Sequence, residues 1–493
     1  MNKKIFLINA GNDPSMSSIA NDYSFPPLGI LALGTWIQDK IPSVEVICRD
    51  TGICGVDEVL KEIELTKPFL VGISVLATSY QTALKIAKFS KLNNSYVVFG
   101  NDQASHLSKN ILLNRSYIDF VIGAEYGEYA LELLINALSK KTSFENIPTL
   151  TYRDKEGKIQ GFDFKTDKEI LSILNIPHNK SKKRVGSLDI FPIIDRTLYP
   201  QYMWDKYLEN YLLSFSHLHK KNELPKAITT MNRARGCSRA NENIKCKHCD
   251  MLLDISFSSE DIFWEEVKQA NRDINAELFY EVCDSLTSFS SFLRKIEVSK
   301  PKNLGFNPKF FIYGQALDIV RNPKLLNTLK NIGVFKINIG LESGCDITLK
   351  DMKGSYDSVK NNYFALKELK KKNIFVYGSF VLGTELETRE TMMETIIWIK
   401  KIIDEELISD VEIQPILPLP NNVYGKRMFD NNSVNNSDWP IDIDEISKKY
   451  INTYSGVSYD EVISAINIIR EYTQKKHLNF GSGVSKKENY KEN

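Results

Sequence analysis

Along roughly the first 140 residues, short and almost wholly apolar runs alternate with amphipathic stretches. The runs at 5–8, 70–75, 96–100 and 120–123 carry no polar alternation, the mark of strands buried on both faces, and a fifth strand is expected at 44–47, where Glu45 interrupts the apolar residues. Between them, 28–37, 56–65, 80–92 and 128–138 repeat their apolar residues at helical spacing. Strictly alternating β and α elements predict a doubly wound parallel sheet, whose ligands bind beyond the carboxyl ends of the strands. Small and polar residues stand at those ends: Ser74, Ala77 and Thr78, then Gly100 and Asn101, then Gly123 and Glu125. On pattern alone they serve as strand-to-helix turns, which need glycine and capping side chains in any case.

The rhythm breaks after residue 140 and returns near 227. Two short alternating runs, 149–154 and 157–159, predict a small hairpin, and the basic stretch 179–184 reads as a solvated linker. His217 and His219, two apart, would share one face if they lay on a strand. Runs at 227–231, 277–282, 310–314, 334–340, 374–383 and 410–414 are expected strands; 262–274, 323–332, 358–371 and 388–403 are expected helices. That spacing predicts a partial (β/α)6 barrel with its site at the strand C-terminal ends. Beyond residue 420 stand Trp439, Tyr450 and Tyr454, a helix at 459–475 and a polar tail expected to be disordered. The expected organisation is therefore 1–145, 146–224, 225–420 and 421–493.

Composition narrows the function classes. The chain has 493 residues, long enough for two or three cores, and a formal net charge of +1. So balanced a charge argues against nucleic acid or a membrane surface as an electrostatic partner. No apolar stretch is long enough to span a bilayer, and the first apolar run is too short for a signal peptide. Reduced cysteines then lead to the expectation of a cytoplasmic enzyme, taken as a monomer.

The chemistry gathers in one loop. Of seven cysteines, three stand together in Arg235-Gly236-Cys237-Ser238-Arg239 and Cys246-Lys247-His248-Cys249, directly after the strand at 227–231. The setting is polar and lysine-rich, unlike a core strand. Three thiolates on one loop can hold three irons of a [4Fe–4S] cluster and leave the fourth open to a ligand. The alternatives are zinc, for which His248 would be a fourth ligand, and ordinary thiols. Because the loop follows the first barrel strand, it lies at the barrel's functional end. Cys48, Cys54, Cys283 and Cys345 are scattered and form no second paired motif.

Strand, Arg-Gly-Cys, then Cys-x-x-Cys resembles the cluster loop of radical S-adenosylmethionine (SAM) enzymes, in which the open iron chelates SAM. The first gap is expanded here, with eight residues between Cys237 and Cys246 where the family usually has three. Further segments resemble that family: Cys283-Asp284-Ser285 after the second strand, Gln315 after the third, and Gly340-Leu341-Glu342-Ser343-Gly344 at the fourth. Gly378-Ser379-Phe380-Val381-Leu382-Gly383 is similar to the segment that backs the adenine. The resemblance implies SAM contacts at Asp284, Gln315, Glu342, Ser343, Gly378, Phe380 and Gly383. Taken singly, Gly378 and Gly383 would serve as barrel bends and Glu342 as one end of a salt bridge.

Phe25-Pro26-Pro27-Leu28-Gly29, Val71-Gly72-Ile73-Ser74 and the stretch from Phe120 to Glu128 resemble the N-terminal domain of B12-dependent members. That implies a cobalamin site lined by Ser74, Ala77, Thr78, Gly100, Asn101, Gly123 and Glu125. No Asp-x-His-x-x-Gly occurs, so the cobalamin would be base-off with no imidazole from that motif. The resemblance implies methyl transfer to an unactivated carbon of a small-molecule or peptide substrate, with a flavodoxin or ferredoxin as electron donor. Other outcomes within it are rearrangement or cyclisation with a B12 domain that is only structural. Outside it stands a zinc-stabilised binding module.

Overall fold

The computed structural model describes residues 3–12, 23–123, 127–161, 188–239, 243–250, 255–430 and 443–481. Glu125, Trp439, the basic run 179–184 and the terminal tail lie outside the described residues.

The first sheet takes the strands β1 (Lys3–Asn9), β2 (Val44–Asp50), β3 (Leu70–Ser74), β4 (Tyr96–Gly100), β5 (Phe120–Ile122), β6 (Leu150–Arg153) and β7 (Ile159–Gln160). Their order is β2-β1-β3-β4-β5-β6-β7. The first five are parallel, and β6 and β7 are antiparallel. The hairpin expected from the sequence thus extends this sheet.

Successive residues of β1 explain the two layers of helices. Ile5 and Leu7 join the core under the helices Gly29–Lys40 and Gly127–Lys140, whereas Phe6 and Ile8 join the core under Val56–Thr66 and Tyr80–Leu92. Both sets are 0–1% exposed, which is why these strands read as unbroken apolar runs. The chain reverses direction across the sheet between β1 and β3, the crevice where ligands of such folds sit.

The second sheet is entirely parallel. In chain order its elements are β8 (Ile228–Met231), β11 (Leu278–Glu281), β12 (Lys309–Gly314), β13 (Val334–Glu342), β14 (Phe375–Leu382), β15 (Asp410–Pro415) and β16 (Asn479–Phe480). A two-stranded ribbon, β9 (Ala234–Arg235) with β10 (Ser256–Phe257), stands just beyond β8. Strands β8 and β11 to β15 pair in sequence order, giving the partial barrel expected from the pattern. Only β16 was not expected. It is two residues long, and the Tyr459–Lys475 helix delivers it to the edge of β15.

The helix Gln201–Phe215 joins the two sheets. Its Trp204, Tyr207 and Tyr211 are buried, Tyr207 donates to Asp50 at the end of β2, and Asn479 on β16 donates to Ser214 O at 2.5 Å. Its buried residues Met203, Trp204, Tyr207, Tyr211 and Phe215 recur at helical spacing on one face, opposite the exposed Asp205, Lys206 and Glu209.

A buried charge triad fixes the same junction. Glu266 accepts from Arg196 at 2.7 Å and from Arg233 at 2.6 Å, with the three side chains only 0–5% exposed. Arg196 also donates to Thr229 and to Thr230 O, and Arg233 to Pro192 O, so the fork geometries are well used. The histidine pair is corrected: His217 lies in a tight turn, Ser216–Leu218, and His219 follows it, so neither is on a strand. His219 Nε2 bonds Tyr211 Oη at 2.7 Å and the ring packs on Phe335. Among the described residues no helix is long and apolar enough to cross a membrane.

Candidate active site

The cysteine loop begins where β8 ends. Gly236, at φ +94°, turns the chain, and its N–H donates to Asp284 Oδ2 at 2.9 Å. Cys237 follows, 7% exposed. Gln315 Nε2, from the turn after β12, donates to Cys237 Sγ at 3.0 Å. The amide is held in that orientation because its Oε1 accepts from Arg239 Nε at 2.8 Å. Arg239 is in turn engaged by Asp357 and by Lys353 O.

The far arm of the loop is pinned from behind. Lys247 N–H donates to Met352 O at 2.9 Å, Val423 N–H to Lys247 O at 3.0 Å, and Asn422 Nδ2 to His248 O at 3.2 Å. Cys249 N–H donates to Cys246 O at 3.1 Å, closing the Cys-x-x-Cys turn. Burial raises the Cys237 and Cys246 thiols above their ordinary range, while Lys353 and Arg239 oppose that shift at Cys246. Among the described residues no three His, Cys, Asp or Glu side chains converge at metal-binding spacing.

The donor set nonetheless suits an iron–sulfur cluster. Three thiols share one loop, cations stand beside it, and an amide N–H is already aimed at sulfur. His248, the alternative fourth zinc ligand, keeps one ring nitrogen toward a carboxylate and the other unbonded. Its Nε2 faces Glu342 Oε1 at 3.6 Å, its Nδ1 is buried without a hydrogen-bond partner, and burial lowers its pKa.

Glu342 is the strained residue of the site. It ends β13 at φ +59°, a left-handed conformation that an L side chain seldom adopts. Lys353 Nζ holds it, reaching Glu342 Oε1 at 3.3 Å and donating to Gly340 O at 2.6 Å. The carboxylate folds back over Gly340, where a Cβ would come within 2.1 Å of Oε1 and would push the carboxylate aside. Ser343 is different: it is 0% exposed, and its hydroxyl bonds Thr348 and Thr395. Gly378 packs against Leu341, Phe380 is 0% exposed against Trp398, and Gly383 at φ +88° abuts Ile451. The side chains of Ser343 and Phe380, and the positions of Gly378 and Gly383, are thus packed against the surrounding core.

A cavity of about 370 Å³ lies between the carboxyl ends of the first sheet and this loop. Ser74, Gly100 and Asn101 line one side above an apolar floor that includes Leu7, Ile73 and Val98. Asn232, Arg233, Arg235 and Asp284 line the other. Asn101, at φ +80°, donates to Ser74 Oγ at 3.1 Å. Ala77 and Thr78 form a tight turn outside that lining, and Gly123 packs near Ser105. An apolar floor with a rim of amide and hydroxyl groups suits a flat macrocycle bearing amide side chains. Sequence reasoning missed Arg239, Lys353, Asp357 and Asn422, all supplied by the fold from distant segments or turned inward by it.

No protein-family model matches the chain. Over 406 residues it is 22% identical to an uncharacterized methyltransferase of Pyrococcus horikoshii, covering 81% of this chain and 78% of that protein. It is 21% identical over 408 residues to the anaerobic magnesium-protoporphyrin IX monomethyl ester cyclase of Synechocystis sp., covering 78% and 69%. The radical SAM methyltransferase TsrM from Kitasatospora setae, solved with cobalamin and a [4Fe–4S] cluster, superposes with a TM-score of 0.62 at 14% identity, over 88% of this chain and 79% of that one. The cobalamin-dependent SAM radical enzyme OxsB, solved with aqua-cobalamin and SAM, superposes at 0.58 with 16% identity, over 97% and 62%. The fold is therefore that of the cobalamin-dependent radical SAM enzymes, with a B12-type Rossmann domain ahead of a half-barrel.

Proposed function

We propose that this chain is a cobalamin-dependent radical SAM enzyme and that its reaction is methyl transfer to an unactivated carbon of a small-molecule or peptide substrate. The observation that carries the reading is the Cys237–Cys246–Cys249 loop, which follows the first barrel strand, beside a cavity that Arg235 and Asp284 line on one side and the first sheet on the other. Neither feature alone specifies the chemistry; their juxtaposition supports it.

When bound, the cluster with SAM would supply a 5′-deoxyadenosyl radical for hydrogen abstraction, and cobalamin a methyl carrier. The chain's own part is placement. Cys237, Cys246 and Cys249 would hold the cluster. Gln315 and Arg239 fix the orientation of the first thiol, and Asp284 fixes the turn before it. Glu342, held by Lys353, presents a carboxylate at the end of β13 that can accept from an amino or ribose group. Ser74, Gly100 and Asn101 would meet the corrin. A reduced flavodoxin or ferredoxin is the expected electron source.

A second reading is a rearrangement or cyclisation on the same scaffold, favoured by the likeness to the cyclase sequence. The discriminating experiment supplies the reconstituted protein with reductant, cobalamin and methyl-labelled SAM. Release of 5′-deoxyadenosine with label passing to corrinoid supports methyl transfer. Release without labelled corrinoid supports the second reading, and no SAM cleavage contradicts both.

A further inference from the structure

The two faces of the second sheet differ in chemistry. Outward residues such as Ile337, Val376 and Val411 are apolar and buried under helices, whereas the concave face carries tyrosines, amides and charges. Tyr280, Tyr313 and Glu412 on that face are only partly buried, although they sit in mid-sheet. A concave wall that is both polar and accessible is a chamber and not a core.

The charges on that wall are matched except at one place. Lys336 pairs with Asp410 at 2.9 Å near the base, and Lys353 pairs with Glu342 at 3.3 Å near the mouth. Glu412 takes only neutral partners among the described residues: Tyr377 Oη donates at 3.0 Å and Gln414 Nε2 at 3.3 Å. Burial raises its pKa, and the charge of Glu342 adds to the effect. A carboxylate kept half-buried with neutral partners is stabilised by any cation that reaches it.

The surroundings of Glu412 suit such a cation. Tyr280 stacks on Phe311 with centroids 4.6 Å apart and meets Tyr313 at 5.5 Å, giving a continuous aromatic wall. Phe25, from the first domain, closes that wall from below at 4.7 Å from Tyr280. Aromatic faces attract cationic nitrogen, and more strongly where water is scarce. The level is also informative. Glu412 pairs in register with Ser379, and Ser379 with Gly340. Gln315, next after the Gly314–Ile339 pair, stands at that same level and touches Cys237. The acid therefore faces the chamber at the level of the cluster loop.

We propose that the substrate carries a protonated amine beside an apolar or aromatic body, and that Glu412 with Tyr377, Tyr280 and Tyr313 forms its recognition site. This rests on the reading of the barrel lumen as the substrate chamber of a radical SAM enzyme. The test uses the full reconstituted chain and three matched probes: 2-phenylethylamine, 2-phenylethanol and 3-phenylpropionate, with binding followed by calorimetry at constant pH. The amine is expected to bind at least tenfold more tightly than the other two. Glu412→Gln should remove that preference while leaving the alcohol unchanged. Ser379→Lys, which sets a fixed cation next to Glu412 in register, should remove it as well and stands in if the first variant does not fold.

Equal binding of the three probes, preference for the carboxylate, absence of amine binding, or an amine preference kept in a folded variant overturns the proposal. Iron content measured on the same samples separates the two failures. A chain that carries iron but shows no amine preference defeats the recognition site alone, whereas a chain without iron defeats the enzymatic reading.

Discussion

Gln315 Nε2 lies 3.0 Å from Cys237 Sγ, and Arg239, bonded to the other end of the same amide, decides which end faces the sulfur. A donor on a ligating thiolate favours the more negatively charged state of a cluster. Gln315→Leu should therefore lower the midpoint potential of the reconstituted cluster by an amount on the order of 50 mV, one hydrogen bond's worth. Redox titration followed by electron paramagnetic resonance reads the shift; an unchanged potential contradicts it.

Glu266 is the only carboxylate bonded to both Arg196 and Arg233 among the described residues. Glu266→Ala leaves two buried guanidinium groups without a counter-charge and should cost about 3–5 kcal/mol. Chemical denaturation of the full chain measures it, and a loss below about 1 kcal/mol would show that solvent already compensates the pair.

A Cβ at Gly100 would meet nothing closer than Ile122 O at 3.9 Å, and the residue lines the cavity. Gly100→Phe should fill the cavity without disturbing the strand. Cobalt bound per chain should fall while iron bound per chain stays constant. Loss of both would mean that the substitution acts through folding.

His219 gives a pH signature of the domain junction. Burial, with Lys309 nearby, lowers its pKa from 6.5 to about 4. The folded state then binds fewer protons than the unfolded state between those values. Its contribution to stability is complete above about pH 6.5 and is lost as pH falls toward 4. His219→Phe removes this term while keeping the ring contact with Phe335. The variant's unfolding midpoint should fall less steeply across that window, and parallel profiles would refute the assignment.

These cases mark what was legible beforehand. Buried parallel strands such as Leu70–Ser74 announce themselves because both faces are apolar, and the thiol loop was placed correctly once β8 was recognised. Strand alternation also separates the two faces of β14. Gly378 and Phe380 share a face with Val376 and Leu382, all of them buried and apolar, whereas Tyr377 and Ser379 face the chamber. The partners of the cysteine loop were not legible. Asp357 lies 118 residues from Arg239 and Asn422 lies 174 from His248, and no local pattern encodes such meetings. The Gln201–Phe215 helix carries one buried stripe, but tyrosine, tryptophan, asparagine and serine make up much of it and blunt its apolar signal, and β16 was hidden because two residues carry no period.

The most direct test is metal and corrinoid analysis of protein purified and reconstituted without oxygen, with cobalamin supplied. About four iron with matching sulfide per chain, lost in Cys246→Ala, together with one corrinoid, is the expected result. Zinc in place of iron, held by the same three cysteines, would contradict the account.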